Sequence, residues 1–144
     1  MPRLPRSELP DEGFFHLVTR GVDSCLIVKD DDDRRSFVGQ LGDAIRRFEL
    51  SCLVFCLMNT HYHVVIDGRL AQISGALHRL NFLHAQRFNR RHGRTGHLFG
   101  DRFSAWLIRD ERHLENTCNY VLANPVRAGL CAHREDWPWS GAAR

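Results

Sequence analysis

The sequence lacks long apolar runs and contains little lysine, proline or tyrosine. None of its hydrophobic stretches approaches the about 18 residues that a membrane-spanning helix requires. No apolar core follows the charged start, Met1 to Arg6, so we expect an extended arm there, no secretory signal and a cytoplasmic protein. With 144 residues, 43% of them hydrophobic, the chain has the size of one folded domain, residues 1–144.

Disulfides and a cysteine zinc site are also disfavoured. The five cysteines are an odd number and lie mostly inside apolar runs, which is typical of reduced, buried thiols. Cys52 and Cys56 are four residues apart, and in a strand that spacing is about 13 Å. Two sulfurs that share one zinc ion are only about 4.6 Å apart. We therefore predict no zinc site at this pair.

The order of helix and strand patterns predicts an α+β fold. Alternating or continuous apolar stretches predict strands, and apolar residues at helical spacing predict helices. An acidic cluster, Asp30 to Asp33, predicts the N-cap and negative first turn of a helix. The predicted elements are strand 14–20, a helix after 30–33, strands 50–58 and 61–66, helix 70–88, strand 103–108, and a third helix, 112–124, stopped by Pro125.

This order of elements is that of a ferredoxin-like split βαβ sandwich, in which an antiparallel sheet carries two helices on one face. The other face of the sheet would then be covered by the third helix, by a partner or by a ligand. The third helix would carry Tyr120 and Asn124.

Two histidines on a predicted central strand form a candidate metal site. Residues two apart in a strand project to one face, so His61 and His63 would lie about 7 Å apart at their Cα atoms. Their imidazoles can converge on one ion, whereas Tyr62 between them points to the opposite face. Two packing or surface histidines are the alternative, because so short a motif is weak by itself.

A tyrosine and an amide are presented together on the third predicted helix. Tyr120 and Asn124 are four residues apart and therefore share a helix face. The chain has two tyrosines, and Tyr62 faces away from the histidines, which leaves Tyr120 as the candidate phenolic nucleophile. An amphipathic aromatic residue at a helix surface is the alternative for Tyr120. Asn124 can also cap a short turn that begins at Pro125, and the two roles are compatible.

A basic segment between Arg87 and Arg102 is interleaved with Phe88, Phe99 and Phe103. This pattern favours binding of a single nucleic-acid strand, because arginines contact phosphates and aromatic rings stack on bases. A solvated basic loop is the alternative. We expect the segment to lie beside the histidine face and to bind DNA through Arg87, Arg90, Arg91, Arg94, His97 and Arg102.

These motifs together resemble a known family, the REP-associated tyrosine transposases, which belong with the single-tyrosine HUH transposases of small insertion sequences. The resemblance covers nearly the whole chain and is carried by residues 15–21, 56–63, 88–94, 96–99, 102–103, 120–130 and 137–140. One departure lies before the first histidine, where many relatives have Pro-Asn and this chain has Asn59-Thr60.

The resemblance implies a metal-dependent single-strand DNA endonuclease and strand transferase. In such an enzyme Mg²⁺ or Mn²⁺ would be held by His61, His63 and Asn124, and Tyr120 would form a 5′-phosphotyrosine intermediate. The implied partner is single-stranded DNA with hairpin-forming repeats, bound by a monomer or a homodimer. A non-catalytic or domesticated protein that only binds single-stranded nucleic acid is the alternative.

Overall fold

The computed structural model describes residues 3–142 and contains a five-stranded antiparallel sheet. The sheet order is β4-β1-β3-β2-β5, and each neighbouring pair is antiparallel. The predicted split βαβ order is confirmed. The strands are β1 Glu12–Arg20, β2 Ser51–Leu57, β3 His61–Arg69, β4 Ser104–Ile108 and β5 Ser140–Ala142, and the helices are α1 Asp31–Arg47, α2 Leu70–His92 and α3 Glu111–Arg127.

The central strand β3 separates two hydrophobic cores. Tyr62 and Val64 belong to the larger core, which contains the buried faces of α1 and α2. Val65 belongs to the smaller core, together with Val121 of α3. Because neighbouring residues of a strand point to opposite faces, His63 lies on the α3 side of the sheet. Two helices therefore cover one face and the third helix partly covers the other.

Helix α1 begins at the predicted acidic cluster. The Asp30 carboxylate accepts a hydrogen bond from the backbone N–H of Asp33 at 3.0 Å, as an N-cap should. Asp33 is not solvated, however, because its side chain is fully buried. It accepts hydrogen bonds from the Lys29 N–H, Arg91 and His92, so the start of α1 is fastened to the end of α2.

The prediction that Pro125 stops the third helix is wrong. Helix α3 continues to Arg127, and Asn124 lies inside it instead of capping a turn. The Pro125 nitrogen cannot donate to the carbonyl of Val121. The Asn124 side chain supplies a donor in its place, since its Nδ2 lies 3.3 Å from the Val121 oxygen. The turn after α3 closes at Gly129, whose φ of 75° suits glycine.

Two peripheral segments differ from the sequence prediction. Met1 and Pro2 of the predicted arm lie outside the described residues, and the following residues are docked, with Arg6 donating to the Phe103 carbonyl at 2.6 Å. The short strand β5 was not predicted, because three small or polar residues carry no apolar alternation. Within residues 3–142, no helix combines the length and the apolar character that a membrane crossing demands.

Candidate active site

Three histidines lie side by side on the face of the sheet that α3 partly covers. His61 and His63 of β3 have ring centres 5.1 Å apart. His16 of β1 was not predicted, and its Nε2 lies 3.0 Å from Nδ1 of His63. Trp106 of β4 stacks on the other side of the His16 ring, with centres 5.2 Å apart. No local pattern in the sequence indicated His16, because this residue approaches His63 only through the pairing of β1 with β3, in which His63 lies opposite Val18.

The histidine pair fits the requirements of a divalent metal ion. Nδ1 of His63 faces His16 and Nδ1 of His61 lies 3.1 Å from the Thr60 hydroxyl, which leaves both Nε2 atoms available. Two imidazoles bound to one ion at about 2.1 Å have ring centres about 5 Å apart, as here. Burial lowers the pKa of His61 to about 4, and burial with the neighbouring histidines lowers that of His63 to about 3. Both rings are therefore neutral, the form that binds metals.

Tyr120 lies next to these histidines within one chain. Its ring centre is 6.2 Å from that of His63 and 6.1 Å from that of His16, and the side chain is 49% exposed. These rings and Trp106 line a cavity of about 510 Å³ between the sheet and α3. Tyr62 points into the opposite core, where its hydroxyl donates to Asn81 at 2.7 Å. The sequence prediction of which tyrosine faces the histidines is confirmed.

Asn124 is occupied by contacts within α3. Its Oδ1 accepts a hydrogen bond from Arg127 at 2.8 Å, and its Nδ2 lies 3.2 Å from the Tyr120 carbonyl. Arg127 also lies over the Tyr120 ring, 4.1 Å from its centre. In the described part of the chain, no three His, Cys, Asp or Glu side chains converge as metal ligands would. An ion at His61 and His63 would thus need oxygen ligands from elsewhere. Oδ1 of Asn124 can supply one once its hydrogen bond from Arg127 is broken.

Arg127 is a second site residue that the sequence reasoning missed. It is three residues after Asn124 and seven after Tyr120, which is the spacing of one helix face, so the pattern could have identified it. The expected stop at Pro125 concealed this spacing, because it placed Arg127 outside the helix.

The expectation that the basic segment lies beside the histidine face is wrong for its helical part. Arg87, Arg90 and Arg91 belong to α2, which packs on the opposite face of the sheet. Arg91 is held by Asp33 at 2.7 Å and Asp30 at 2.6 Å, and Arg87 lies 3.6 Å from Asp33. Helical spacing oriented these arginines within α2, but the sequence did not reveal that α1 would bring carboxylates to them.

The remaining part of the basic segment is a loop that reaches the end of the sheet. Arg94 donates to the Gly96 and His97 carbonyls and so closes its own turn. Phe99 forms an isolated bridge with Gly21, directly after the strand residue that pairs with His61. This loop is therefore close to His61, the first residue of β3. The arginines of α2, in contrast, lie on the face of the sheet opposite to the histidines. Arg102 at its end is exposed.

Comparison with known proteins identifies the family of the chain. Residues 14–124, which include His16, His61, His63, Tyr120 and Asn124, match the model of the IS200-like transposases. The chain belongs to this family. A REP-associated tyrosine transposase from Haemophilus influenzae is 26% identical in an alignment 108 positions long, and the match covers 67% of this chain and 61% of that protein. The chain thus spans about three fifths of this relative's length, and the predicted resemblance to REP-associated tyrosine transposases is confirmed.

Two solved structures of transposases share the fold. A REP-associated tyrosine transposase bound to a REP hairpin has a TM-score of 0.74 at 15% identity, over 97% of this chain and 82% of that one. A transposase from Deinococcus radiodurans has a TM-score of 0.54 at 13% identity, over 85% of this chain and 97% of that one. At such low identity these similarities concern the architecture alone, and the site has to be argued from its own residues.

Proposed function

We propose that this IS200-like family member is a single-strand DNA endonuclease and strand transferase that uses Tyr120 as its nucleophile. The observation that carries the proposal is the position of the Tyr120 ring, 6.2 Å from His63 at an open cavity within one chain. This proximity supports a site formed in cis, for which a monomer suffices. Hairpin-forming single-stranded DNA is the proposed substrate, in line with the hairpin bound by the similar transposase structure.

The proposed metal site consists of Nε2 of His61, Nε2 of His63 and Oδ1 of Asn124. Mg²⁺ or Mn²⁺ bound there would act as a Lewis acid on a non-bridging oxygen of the scissile phosphate. His16 and Thr60 hold the two imidazoles by their other nitrogens, which fixes ring orientation. Arg127 would leave Asn124 and keep its charge near the phosphate, where a guanidinium binds well.

The proposed reaction exchanges one phosphoester bond for another. The Tyr120 oxygen attacks phosphorus, the 3′ oxygen leaves with a proton, and the 5′ phosphate stays attached to Tyr120. A second 3′ hydroxyl can then attack the phosphotyrosine, which restores the Tyr120 hydroxyl and joins two strands. No external energy source is required, because the phosphoester is conserved in both steps.

The test is formation of a covalent adduct between the protein and a labelled hairpin-containing single strand in the presence of Mn²⁺. Tyr120→Phe removes one oxygen and keeps the ring, so we expect DNA binding to survive and the adduct to disappear. Tyr62→Phe is the matched control, because that hydroxyl lies in the opposite core and its loss leaves the adduct intact.

Each of the other outcomes of this test indicates a different activity. An adduct that persists in Tyr120→Phe contradicts the nucleophile. Cleavage without any adduct in the unaltered protein indicates a nuclease that uses water. Binding with neither product nor adduct indicates a non-catalytic nucleic-acid-binding protein, a candidate that the engagement of Asn124 by Arg127 favours.

A further inference from the structure

Four arginines form a cluster between the N-terminal segment, the residues just before β4 and the end of β3, away from those paired on α2. Arg3, Arg6, Arg69 and Arg102 line two adjoining clefts of about 460 and 380 Å³, and Arg6 and Arg102 line both. Within residues 3–142 none of these four forms an ion pair, whereas Arg87 and Arg91 both pair with Asp33. The sequence-predicted DNA-binding residue Arg102 therefore has different neighbours from the arginines of α2.

The cluster is held in place by neutral groups. Arg6 donates to the Phe103 carbonyl at 2.6 Å and lies over the Phe103 ring at 4.1 Å. Arg3 donates to the Ser104 hydroxyl at 2.6 Å. Burial, with the charges of Arg102 and Arg3, lowers the pKa of Arg6, which indicates that these cations oppose one another. None of these contacts compensates the positive charge.

The lining of the clefts keeps an excess of positive charge. Asp101 lies in one cleft and Asp11 in the other, and neither pairs with an arginine of the described residues. Four cations against two carboxylates leave a balance of +2. Like charges gathered without a counter-ion repel, and an anion bound between them removes that cost. Guanidinium groups suit phosphate in particular, because their fork of N–H donors matches its oxygens.

We propose that this arginine cluster binds the phosphodiester backbone of the DNA strand that reaches Tyr120. That the strand is a substrate rests on the proposed function. The path is short, because Ser104, which Arg3 contacts, shares a face of β4 with Trp106 two residues later, about 7 Å away at Cα. Trp106 stacks on His16 beside the Tyr120 cavity. A DNA backbone bound at the cluster can thus continue around the β4 edge to the candidate active site.

The test measures binding of a fluorescent oligothymidylate of about 20 nucleotides by anisotropy, over a salt series and in EDTA. Its length exceeds the 4–16 nucleotides that single-strand binding folds cover. Each phosphate contact on a single strand contributes about 0.7 to the log–log salt slope, which corresponds to about fivefold in affinity at 0.1 M salt. We expect Arg69→Gln to lose about fivefold, and Arg6→Gln with Arg69→Gln about 25-fold, with slopes lower by about 0.7 and 1.4.

Arg46→Gln is the matched control, because Arg46 is exposed on α1 and lines neither cleft. Arg69 makes no side-chain hydrogen bond to the described residues, so its replacement tests binding without disturbing the fold. An unchanged slope in Arg69→Gln overturns the proposal, as does an equal loss in Arg46→Gln or no binding by the unaltered protein. Because EDTA removes any metal ion, the binding assay does not depend on the proposed reaction. If the protein forms no adduct but Arg69→Gln still lowers the salt slope, the proposed reaction is refuted and the role of the cluster in DNA binding is supported.

Discussion

Replacement of His16 by phenylalanine tests how the histidine site is held together. His16→Phe keeps an aromatic ring between His63 and Trp106, where the ring centres are 5.2 Å from each. It removes both imidazole nitrogens, including Nε2, which lies 3.0 Å from Nδ1 of His63. The fold should survive, since no residue of either core is altered, and the change isolates one hydrogen bond to a proposed metal ligand.

The expected loss follows from the burial of His63. A neutral hydrogen bond contributes about 0.5–1.5 kcal/mol, and a buried polar group left without a partner costs about 1–3 kcal/mol. Water does not replace His16, because His63 is only 3% exposed. Partners of metal-bound histidines typically account for about 10–100-fold in metal affinity, or about 1.4–2.7 kcal/mol, which agrees with this range.

The assay is the Mn²⁺ concentration that gives half-maximal adduct, together with direct Mn²⁺ binding followed by the electron paramagnetic resonance of the free ion. We expect His16→Phe to need about 10–100-fold more Mn²⁺ and to approach the normal rate at saturating metal. His78→Phe, the same change at an exposed position of α2, should behave as the unaltered protein. Equal Mn²⁺ affinity in His16→Phe and the unaltered protein would refute the reasoning.

Two further predictions concern the metal site and the stability of the helical layer. His61→Ala should abolish Mn²⁺-dependent adduct formation while hairpin binding and thermal unfolding change little, and full activity would remove the metal assignment. Burial raises the pKa of Asp33, but the hydrogen bonds from the Lys29 N–H, Arg91 and His92 lower it more, so the net pKa is lowered. The ionised carboxylate therefore stabilises the fold above about pH 4, and this contribution is lost as the pH falls below that value. Asp33→Asn should therefore cost about 2–3 kcal/mol at pH 7, or about 6–10 °C in melting temperature by calorimetry, and less at pH 3. The exposed Asp32→Asn is the control, and equal melting temperatures for the two variants would contradict a buried ionic contact.

The fold and the central residues of the site were accessible from the sequence because they depend on local periodicity. Alternation along His61 to Ile66 placed both histidines on one face and Tyr62 on the other. Apolar spacing placed two helices against the sheet, and the order of elements left only a few topologies. Tyr120 followed from elimination, since the other tyrosine pointed away.

What local patterns missed are contacts between distant elements and exceptions to local rules. His16 joined the site because β1 pairs with β3, so residues 47 positions apart in the chain became neighbours. Pro125 normally ends a helix, but the Asn124 side chain donates to the carbonyl that proline leaves without a partner, and α3 continues.

For the basic residues, too, the sequence determined one part and the tertiary structure the other. The sequence determined that arginines are concentrated between Arg87 and Arg102, and that the first residues carry two more. Only the tertiary structure decided which of them remain free to meet phosphate. Asp33 is fully buried and pairs with Arg87 and Arg91 of α2, whereas docking of the N-terminal segment brings Arg3 and Arg6 to Arg102 without an ion pair among the described residues. Electrostatic partners depend on distances through space, which a linear pattern of charges does not contain.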